Sequence, residues 1–283
     1  MSGFRCPHCG KSLENVAGGV LCANGHRYDR SKWGYVNLLP PSRGKNHGDD
    51  RMMVRARRDF LNAGYYQTLA DALCETVRTY ANECARIFDA GCGEGYYTVA
   101  VKRALAEYHA RIFGVDVSKV ALEFAGRRDR TLDLAAASVY ALPVCDHGCE
   151  MVMSVFSPLA PEEFRRILIP GGTFVEVYPL ENHLFGLKRA IYDEPYRNEV
   201  KPDVLEGFAL LEKREVRYTM TVTGADIGNL LRMTPYWYKT SKEGQQKADM
   251  LTTLETEAEF GIAVYRAIPD AGKGGSSDVL SGV

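Results

Sequence analysis

The stretch FDAGCGEGYYT, residues 88–98, decides the fold of this chain. It follows a short apolar run that is typical of a buried strand, and it opens a helical pattern. Gly91, Gly93 and Gly95 suit a tight strand-to-helix turn, in which backbone N–H groups can approach a ligand closely. Tyr96 stands where the dinucleotide-binding pattern requires a glycine. The loop therefore predicts a nucleotide-type cofactor that has no pyrophosphate.

Acidic and aromatic residues at neighbouring strand ends complete the predicted cofactor site. Asp116 ends the next strand, RIFGVD (111–116), where a carboxylate can accept hydrogen bonds from both hydroxyls of a ribose. Because NAD enzymes also carry an acid there, Asp116 is informative only together with Asp89, the glycine loop and the Pro-Gly-Gly turn at 170–172. Tyr140 follows the third strand, where side chains commonly meet adenine. Together these residues predict S-adenosylmethionine as the cofactor.

The wider pattern predicts an α/β fold of the Rossmann-like class I methyltransferase type. Apolar strands alternate with amphipathic helices up to about residue 179, which indicates a parallel sheet covered on both faces. Two later strand-like segments, KREVRYTMTV and FGIAVYRAI, predict an antiparallel edge. The predicted domains are a zinc-binding β-hairpin module for RNA recognition at 1–38, a basic linker and helix at 39–64, the methyltransferase domain at 65–268 and a disordered tail at 269–283.

Four metal-ligand residues lie close together near the N-terminus. Cys6 and Cys9 form one chelating pair, Cys22 and His26 form a second, and the twelve residues between the pairs suit a β-hairpin. Three thiolates and one imidazole predict a closed, structural zinc site, whose metal supplies folding energy that so small a core cannot. His8 competes with His26 as the fourth ligand, although its place inside the first pair is less suitable.

The charge is distributed unevenly along the 283 residues. Residues 1–58 hold 11 basic and 4 acidic residues, a net charge of +7, whereas the rest of the chain has a net charge of −8. A basic end on an acidic body predicts a partner that carries phosphates. The segment RMMVRARRDFLNAG (51–64) predicts a helix with an apolar face of Met53, Ala56 and Phe60. The predicted RNA-binding residues are Arg51, Arg55, Arg57 and Arg58.

No apolar run is long enough for a membrane-spanning helix, and the start MSGFRCPHCGKSL lacks the apolar segment of a secretory signal. We therefore expect a cytoplasmic protein. In that reducing compartment its 8 cysteines serve as thiols or metal ligands, not disulfides.

Several joined motifs resemble the bacterial 23S rRNA guanine-N1 methyltransferases of the RlmA type. They run from the zinc pattern to about residue 267 and comprise CPHC…CANGHRYD, WGYVNLL (33–39), ARRDFLNAGYYQ (56–67), DAGCGEGYYT (89–98), GVDVSKVA (114–121) and LLRMTPYWY (230–238). The resemblance implies methyl transfer from S-adenosylmethionine to N1 of one guanine in a hairpin of 23S rRNA. It also implies that the zinc module helps to bind RNA and that the chain forms a homodimer.

The resemblance further implies site residues that the pattern alone did not reveal. Cofactor contacts fall on Tyr66, Gly93, Glu94 and His183, and the zinc ligands fall on Cys6, Cys9, Cys22 and His26. The chain departs from the family at Phe156-Ser157-Pro158, where aromatic-Ala-Pro is more usual. It mixes traits of two subtypes that methylate neighbouring guanines, so the choice between those guanines stays open.

The chemistry also requires a proton acceptor, because N1 of guanine carries a proton that must leave. Glu163, or less favourably Glu162, is the predicted acceptor because it follows the loop after the fourth strand. The alternative is that both are first-turn helix acids, which the helix dipole favours. A base within a stem must be flipped out to react. The candidates for stacking on it are Phe156, Tyr178 and Tyr236.

Two other functions compete with this interpretation. A small-molecule methyltransferase would use the same sheet, since a fold does not determine the substrate. A non-catalytic RNA-binding assembly factor would keep the basic end, but it would have no need for an intact glycine loop. Binding of S-adenosylmethionine separates the enzyme from the assembly factor, and methyl transfer to rRNA separates RNA from a metabolite.

Overall fold

Two β-sheets organise the residues that the computed structural model describes, which are 3–40, 49–200 and 203–269. The small antiparallel sheet consists of β1 (Leu13–Val16), β2 (Gly19–Cys22) and β3 (Arg27–Asp29). The large sheet consists of β4 (Val36–Asn37), β5 (Arg86–Ala90), β6 (Arg111–Asp116), β7 (Asp133–Ala136), β8 (Cys149–Val155), β9 (Leu168–Pro179), β10 (Phe208–Thr223) and β11 (Thr253–Ala267).

The large sheet is mostly parallel, with the spatial order β10-β11-β9-β8-β5-β6-β7-β4. Each neighbouring pair within β9-β8-β5-β6-β7-β4 is parallel. Strand β11 pairs antiparallel with both β9 and β10. The predicted strands 85–90, 111–116 and 150–156 agree with β5, β6 and β8 to within one residue at each end. The predicted α/β class and its antiparallel edge are confirmed.

The helices of the described residues pack against this sheet. They are α1 (Arg51–Asn62), α2 (Gln67–Tyr80), α3 (Tyr96–Ala104), α4 (Lys119–Arg128), α5 (Pro161–Ile167), α6 (Phe185–Ile191), α7 (Ala225–Arg232), α8 (Tyr236–Lys239) and α9 (Lys242–Met250). Successive residues of a strand point to opposite faces, so Ile87 and Phe88 enter two different hydrophobic clusters, one on each side of the sheet. Both faces are therefore buried, as uniformly apolar strands require.

Helix α1 has the amphipathic character that its sequence predicts. The Asp50 carboxylate accepts a hydrogen bond from the Met53 N–H at 2.8 Å and so caps the first turn. Met53, Ala56 and Phe60 are all buried, and they form the predicted apolar face. The opposite face carries Arg55, which is exposed.

The small sheet is joined closely to the large one. β4 pairs in parallel with β7, with Val36 opposite Ala135, and so forms the edge strand of the large sheet. The rings of Phe4 and Phe113 meet edge to face at 6.2 Å. A Cβ on Gly126 of α4 would lie 1.8 Å from the Trp33 carbonyl oxygen, so that contact requires glycine. The domain boundary at residue 38 stays a prediction. Residues before it, in β4 and at Trp33, contact β7 and α4, which come after it.

Some predictions concern residues outside the described ranges. Apart from residue 269, the predicted disordered tail lies outside them, and so do Arg43 and Lys45 of the basic segment. Among the described residues, no helix is long and apolar enough to span a bilayer.

Candidate active site and zinc centre

The four predicted zinc ligands converge at one end of the small sheet. The ligand atoms of Cys6, Cys9, Cys22 and His26 all lie within 4.8 Å of one another. The Cys9 and Cys22 sulfurs are 3.7 Å apart, and the Cys22 sulfur is 3.3 Å from His26 Nδ1. Tetrahedral zinc with ordinary Zn–S and Zn–N bonds needs edges of about 3.8 and 3.5 Å. The donor set and its spacing therefore fit one structural zinc ion.

His8 does not belong to this ligand group. Its ring packs edge to face against the ring of His26 at 4.5 Å. The Tyr28 hydroxyl lies 3.2 Å from the Cys6 sulfur, so a polar group from β3 supports a ligand. Of the two open assignments for the fourth ligand, the geometry selects His26.

A cavity of about 700 Å³ opens where the carboxyl ends of β5, β6, β8 and β9 meet. Its position is the usual ligand crevice of an open α/β sheet. Eight of the nine predicted cofactor residues line it, namely Tyr66, Asp89, Gly91, Gly93, Glu94, Asp116, Tyr140 and His183. The ninth, Gly95, precedes α3 with φ of 82° and lies against Ala125, so it shapes the turn.

The glycine loop is held tightly against the neighbouring strand ends. The N–H groups of Gly91 and Cys92 both donate to the Val115 carbonyl, at 3.0 and 2.8 Å. Gly91 has φ of 91°, and a Cβ there would lie 2.4 Å from the Ser157 Cβ. Glycine is required at 91 for both reasons. The Ser157 hydroxyl donates to the Ala90 carbonyl, which joins the fourth-strand loop to β5.

Asp89 contributes a buried carboxylate to the cavity. Its Oδ2 accepts a hydrogen bond from the Thr98 hydroxyl at 2.6 Å, while Oδ1 is buried with no hydrogen-bond partner among the described residues. Burial raises the pKa of Asp89 to about 7. An orphaned buried carboxylate oxygen is costly, and it fits a cationic ligand group such as an ammonium.

Asp116 is held in place by two backbone N–H groups. Oδ2 accepts from Gly93 at 3.0 Å, and Oδ1 accepts from Ser118 at 2.7 Å. A carboxylate has about four acceptor positions, so both oxygens keep capacity for ligand hydroxyls. Burial raises its pKa, although the two N–H donors act in the opposite direction. This geometry suits a ribose diol.

Glu94 is also buried, with a relative exposure of 2%. Its Oε2 accepts from Arg128 at 2.5 Å, and Oε1 has no hydrogen-bond partner among the described residues. Burial raises the pKa of Glu94, against the effect of Arg128. The side chain thus offers a second unsatisfied acceptor to the cavity.

Tyr66 and His183 form a buried pair in the cavity wall. The Glu259 N–H donates to His183 Nδ1 at 3.3 Å, so the ring proton of the neutral imidazole resides on Nε2. Nε2 lies 3.3 Å from the Tyr66 hydroxyl and donates to it. Burial lowers the pKa of His183 to about 3, so the ring stays neutral. The Tyr66 O–H is left able to donate into the cavity.

Glu163, the predicted proton acceptor, does not line the cavity. Its carboxylate accepts from the Leu142 N–H at 2.7 Å and from Arg166 at 2.7 and 2.8 Å. These hydrogen bonds lower the pKa of Glu163 against the effect of burial. Glu162 is exposed and also absent from the cavity wall. The structure thus favours the alternative, in which Glu162 and Glu163 are acids in the first turn of α5. The prediction that Glu163 lies beside the reacting base is corrected.

Three of the four arginines predicted to bind RNA, Arg51, Arg55 and Arg58, share one face of α1, whereas Arg57 lies on another face. Arg57 lines the cavity and pairs with Asp49 at 2.5 Å. Its prediction as part of an RNA-binding surface patch is therefore corrected. Arg51 pairs with Glu123 at 2.7 Å, and Arg58 pairs with Asp59 at 2.5 Å. Arg55 alone of the four has no ion pair with a described residue.

Several cavity residues were absent from the predicted site. Asp49 and Met53 enter from the start of α1, and Glu176 enters from β9. The segment from Met233 to Tyr236 closes one side. Met53 was predicted only as part of the apolar face of a helix. The sequence signals for the other two segments were the acidic residue within GTFVEVY and the motif LLRMTPYWY, neither of which carries a spacing rule.

Comparisons with known proteins agree with the fold and the two sites. Residues 4–46 match the family model described as RlmA, N-terminal, a zinc ribbon, and residues 87–172 match the model described as a methyltransferase domain. The 23S rRNA (guanine(748)-N(1))-methyltransferase of Streptomyces fradiae is 32% identical over 276 residues, which cover 94% of this chain and 97% of that protein.

One further relative and one solved structure are also similar to this chain. YxjB of Bacillus subtilis (strain 168), assigned by name to the 23S rRNA (guanine-N1)-methyltransferases, is 31% identical over 85% of this chain and 88% of its own. The structure of geranyl diphosphate C-methyltransferase from Streptomyces coelicolor A3(2) has 16% identity and a TM-score of 0.43, over 70% of this chain and 76% of that chain.

The fold and the cavity define a class I methyltransferase that takes S-adenosylmethionine as cofactor and carries one structural zinc ion. Within that class, the chain belongs to the 23S rRNA (guanine-N1)-methyltransferase family.

Proposed function

We propose that this protein transfers a methyl group from S-adenosylmethionine to N1 of one guanine in a hairpin of 23S rRNA. Similarity over 94% of the chain to a 23S rRNA (guanine(748)-N(1))-methyltransferase carries the proposal. The cavity supports it, because orphaned carboxylate oxygens and a glycine loop lie where a methyl donor has to be held. The positive sulfur of that donor makes its methyl group electrophilic without help from a metal.

The protein's own groups divide the task of holding the cofactor. Asp116 would accept from the ribose hydroxyls, and Asp89 would pair with the ammonium group through its unsatisfied oxygen. The Tyr66 hydroxyl, oriented by His183, would donate to the carboxylate end. Tyr140, with 64% relative exposure at the cavity wall, would cover the adenine. Such positioning supplies much of the rate enhancement in transfer reactions.

Cofactor affinity is expected to fall as the pH drops below about 7. The pKa of Asp89 is raised to about 7, so the carboxyl is protonated in the empty cavity at lower pH and must lose that proton to pair with a cation. Linkage then costs up to about tenfold in affinity per pH unit. Calorimetric titration between pH 5.5 and 8 measures this slope. Asp89→Asn should bind more weakly and remove the slope, and an unchanged slope in that variant would contradict the assignment.

The RNA-binding surface is proposed to extend from the exposed Arg55 to a cationic cluster around Trp33. Lys32, Arg127 and Arg130 are exposed, and they lie 5.0, 4.1 and 5.1 Å from the Trp33 ring centroid. The cluster joins the zinc ribbon to α4, next to the Gly126 contact. Clustered cations beside a half-buried aromatic ring suit the phosphate backbone of an RNA.

Charge reversal in this cluster is expected to weaken RNA binding while cofactor binding stays unchanged. Replacing Arg127 and Arg130 together by Glu should reduce the logarithmic salt slope of binding by roughly 2, since each lost phosphate contact removes nearly one unit. Filter binding to a 23S rRNA fragment at several salt concentrations measures it. Arg214→Glu, on β10 at the opposite edge of the large sheet, is the matched control. Equal salt slopes in both variants would place the RNA elsewhere.

Two broader aspects of the function are also proposals. Cytoplasmic location and a homodimer follow from the rRNA substrate and the family resemblance, and light scattering measures the dimer directly. A second chain would extend the RNA-binding surface beyond one cavity.

Primer extension on rRNA treated with the protein and its cofactor tests the proposed function. Methylation of N1 blocks Watson–Crick pairing, so reverse transcriptase should stop one nucleotide before the modified guanine. Naked 23S rRNA and assembled subunits are treated in parallel to identify the substrate form. Methyl transfer to small molecules only would favour a metabolite enzyme, and cofactor binding without any transfer would favour an assembly factor.

A further inference from the structure

The cavity extends past the cofactor residues to the ends of β8 and β9. These two strands are parallel, and Ser154 lies opposite Glu176 in their register. Phe156, Glu176 and Tyr178 all line the cavity there. In the sheet order β9-β8-β5-β6, Glu176 is two strands from Asp89 and three from Asp116. At about 4.8 Å per strand, the strand of Glu176 lies roughly 10 Å from that of Asp89, which leaves room for a second ligand.

Five carboxylates line the cavity among the described residues, and four of them face the cofactor end. Asp89, Glu94 and Asp116 belong to the glycine loop and the adjacent β6 end. Asp49 pairs with Arg57 at the start of α1. Glu176 differs from these four carboxylates in position, because it lies on β9, next to the loop that follows β8.

Phe156 is an aromatic residue that lines the same part of the cavity. Its backbone is left-handed, with φ of 55°, a conformation that is unfavourable for a non-glycine residue. The conformation is held by its N–H, which donates to the Val177 carbonyl at 3.1 Å. The residue is 44% exposed, and the centroid of its ring lies 5.7 Å from that of Phe260. Strain at a non-glycine residue beside a cavity commonly marks a functional position.

The chemistry of guanine matches these two side chains. Its Watson–Crick edge carries two adjacent donors, N1–H and the 2-amino group, which a carboxylate can accept together. Adenine and cytosine offer an acceptor at the corresponding ring nitrogen, and a carboxylate disfavours them. Uracil has one ring donor between two carbonyl oxygens.

We propose that Phe156 and Glu176 form the nucleobase subsite, with Phe156 stacked on the guanine and Glu176 bound to its N1–H and 2-amino group. The inference rests on the proposed function. Glu176 also takes the N1 proton during transfer. The N1 electron pair forms the bond to the methyl carbon, the carbon–sulfur pair remains on sulfur and neutralises its charge, and the proton passes from Glu176 to solvent.

A double-mutant cycle on RNA binding tests the subsite without turnover. The target guanosine, located beforehand by the primer-extension stop, is replaced by inosine, which lacks the 2-amino group. Dissociation constants are measured with the protein saturated with S-adenosylhomocysteine, the unreactive product. The wild type should lose about tenfold in affinity on inosine, since hydrogen bonds to charged groups are strong. Glu176→Gln should bind guanosine RNA about tenfold more weakly and lose little more on inosine.

Glu163→Gln is the matched control, because that glutamate lies outside the cavity and should keep the full inosine penalty. Single-turnover methylation by Glu176→Gln should fall about 100-fold or more, as expected when a general base is lost. Equal inosine penalties in the wild type and Glu176→Gln would overturn the assignment.

A measurement on the wild type alone covers the case in which Glu176→Gln does not fold. RNA with 2-aminopurine at the target keeps the amino group but has an unprotonated N1, so it should bind more weakly than inosine RNA. Binding of 2-aminopurine RNA as tight as that of guanosine RNA would refute the subsite. Failure of the proposed function is distinguishable from both outcomes, because the wild type would then produce no stop at any guanine.

Discussion

Removal of zinc by a strong chelator is expected to unfold the small sheet and to abolish rRNA methylation, with cofactor binding largely retained. The sheet has strands of only three or four residues, and the buried Cys6 and Cys22 belong to its core with Phe4 and Leu13. Structural zinc in peptides of this size contributes on the order of 10–16 kcal/mol, far more than so few residues gain by packing. Hydrogen exchange of residues 3–38, measured with and without chelator, reports the unfolding.

A ligand substitution provides the specific version of this experiment. Cys22→Ser should release zinc and reproduce the effect of chelation, whereas Cys84→Ser, at an exposed cysteine outside the zinc centre, should behave as the wild type. Cofactor affinity should change by less than about threefold in both, because the cavity residues belong to other elements. Protected amides throughout 3–38 after complete loss of zinc would show that packing against Phe113 suffices.

Replacement of Asp116 by Ala is expected to weaken cofactor binding by about 100-fold or more. Two charge-assisted hydrogen bonds to the ribose would be lost, each worth roughly 1.5–3 kcal/mol. The same carboxylate accepts from Gly93 and Ser118, so the glycine loop would also lose a fixed point. Isothermal titration with S-adenosylhomocysteine measures the change in dissociation constant.

Asp133→Asn is a suitable control for this variant. Asp133 lies on the adjacent strand β7, and its side chain pairs with Arg111 at 3.3 Å outside the cavity. Its affinity should stay within about twofold of the wild type. If Asp116→Ala bound within threefold of the wild type, the ribose would have to bind elsewhere.

The parallel sheet was predictable because each of its strands carries its own signal. ARIFDA and RIFGVD are apolar throughout, and only a strand covered on both faces needs that composition. The zinc centre was predictable for a similar reason, since a chelating pair is a short-range pattern in one turn. Helix α1 was predictable from the spacing of its apolar residues.

Several helices were missed in the sequence, even where a local signal is present. Helices α2, α7, α8 and α9 were not predicted, although α7 buries Ile227, Leu230 and Leu231 on one face. Glu163 looked suitable because it follows the fourth-strand loop, yet its carboxylate accepts from Arg166, one turn later on α5, and from the Leu142 N–H of a distant segment. The contact with Leu142 joins residues 21 apart in the chain, and no sequence pattern indicates it.

The sequence by itself determined the fold class, the cofactor type and the three cysteine ligands of zinc, because each depends on residues within one turn or one strand. Tertiary structure selected His26 as the fourth zinc ligand and determined which side chains line the cavity. It placed Arg57 inside the cavity and joined β4 to the large sheet, and it brought Glu176 beside the fourth-strand loop. The physical reason is that a site at strand ends is assembled from segments far apart in the chain, and only their packing determines which side chains meet.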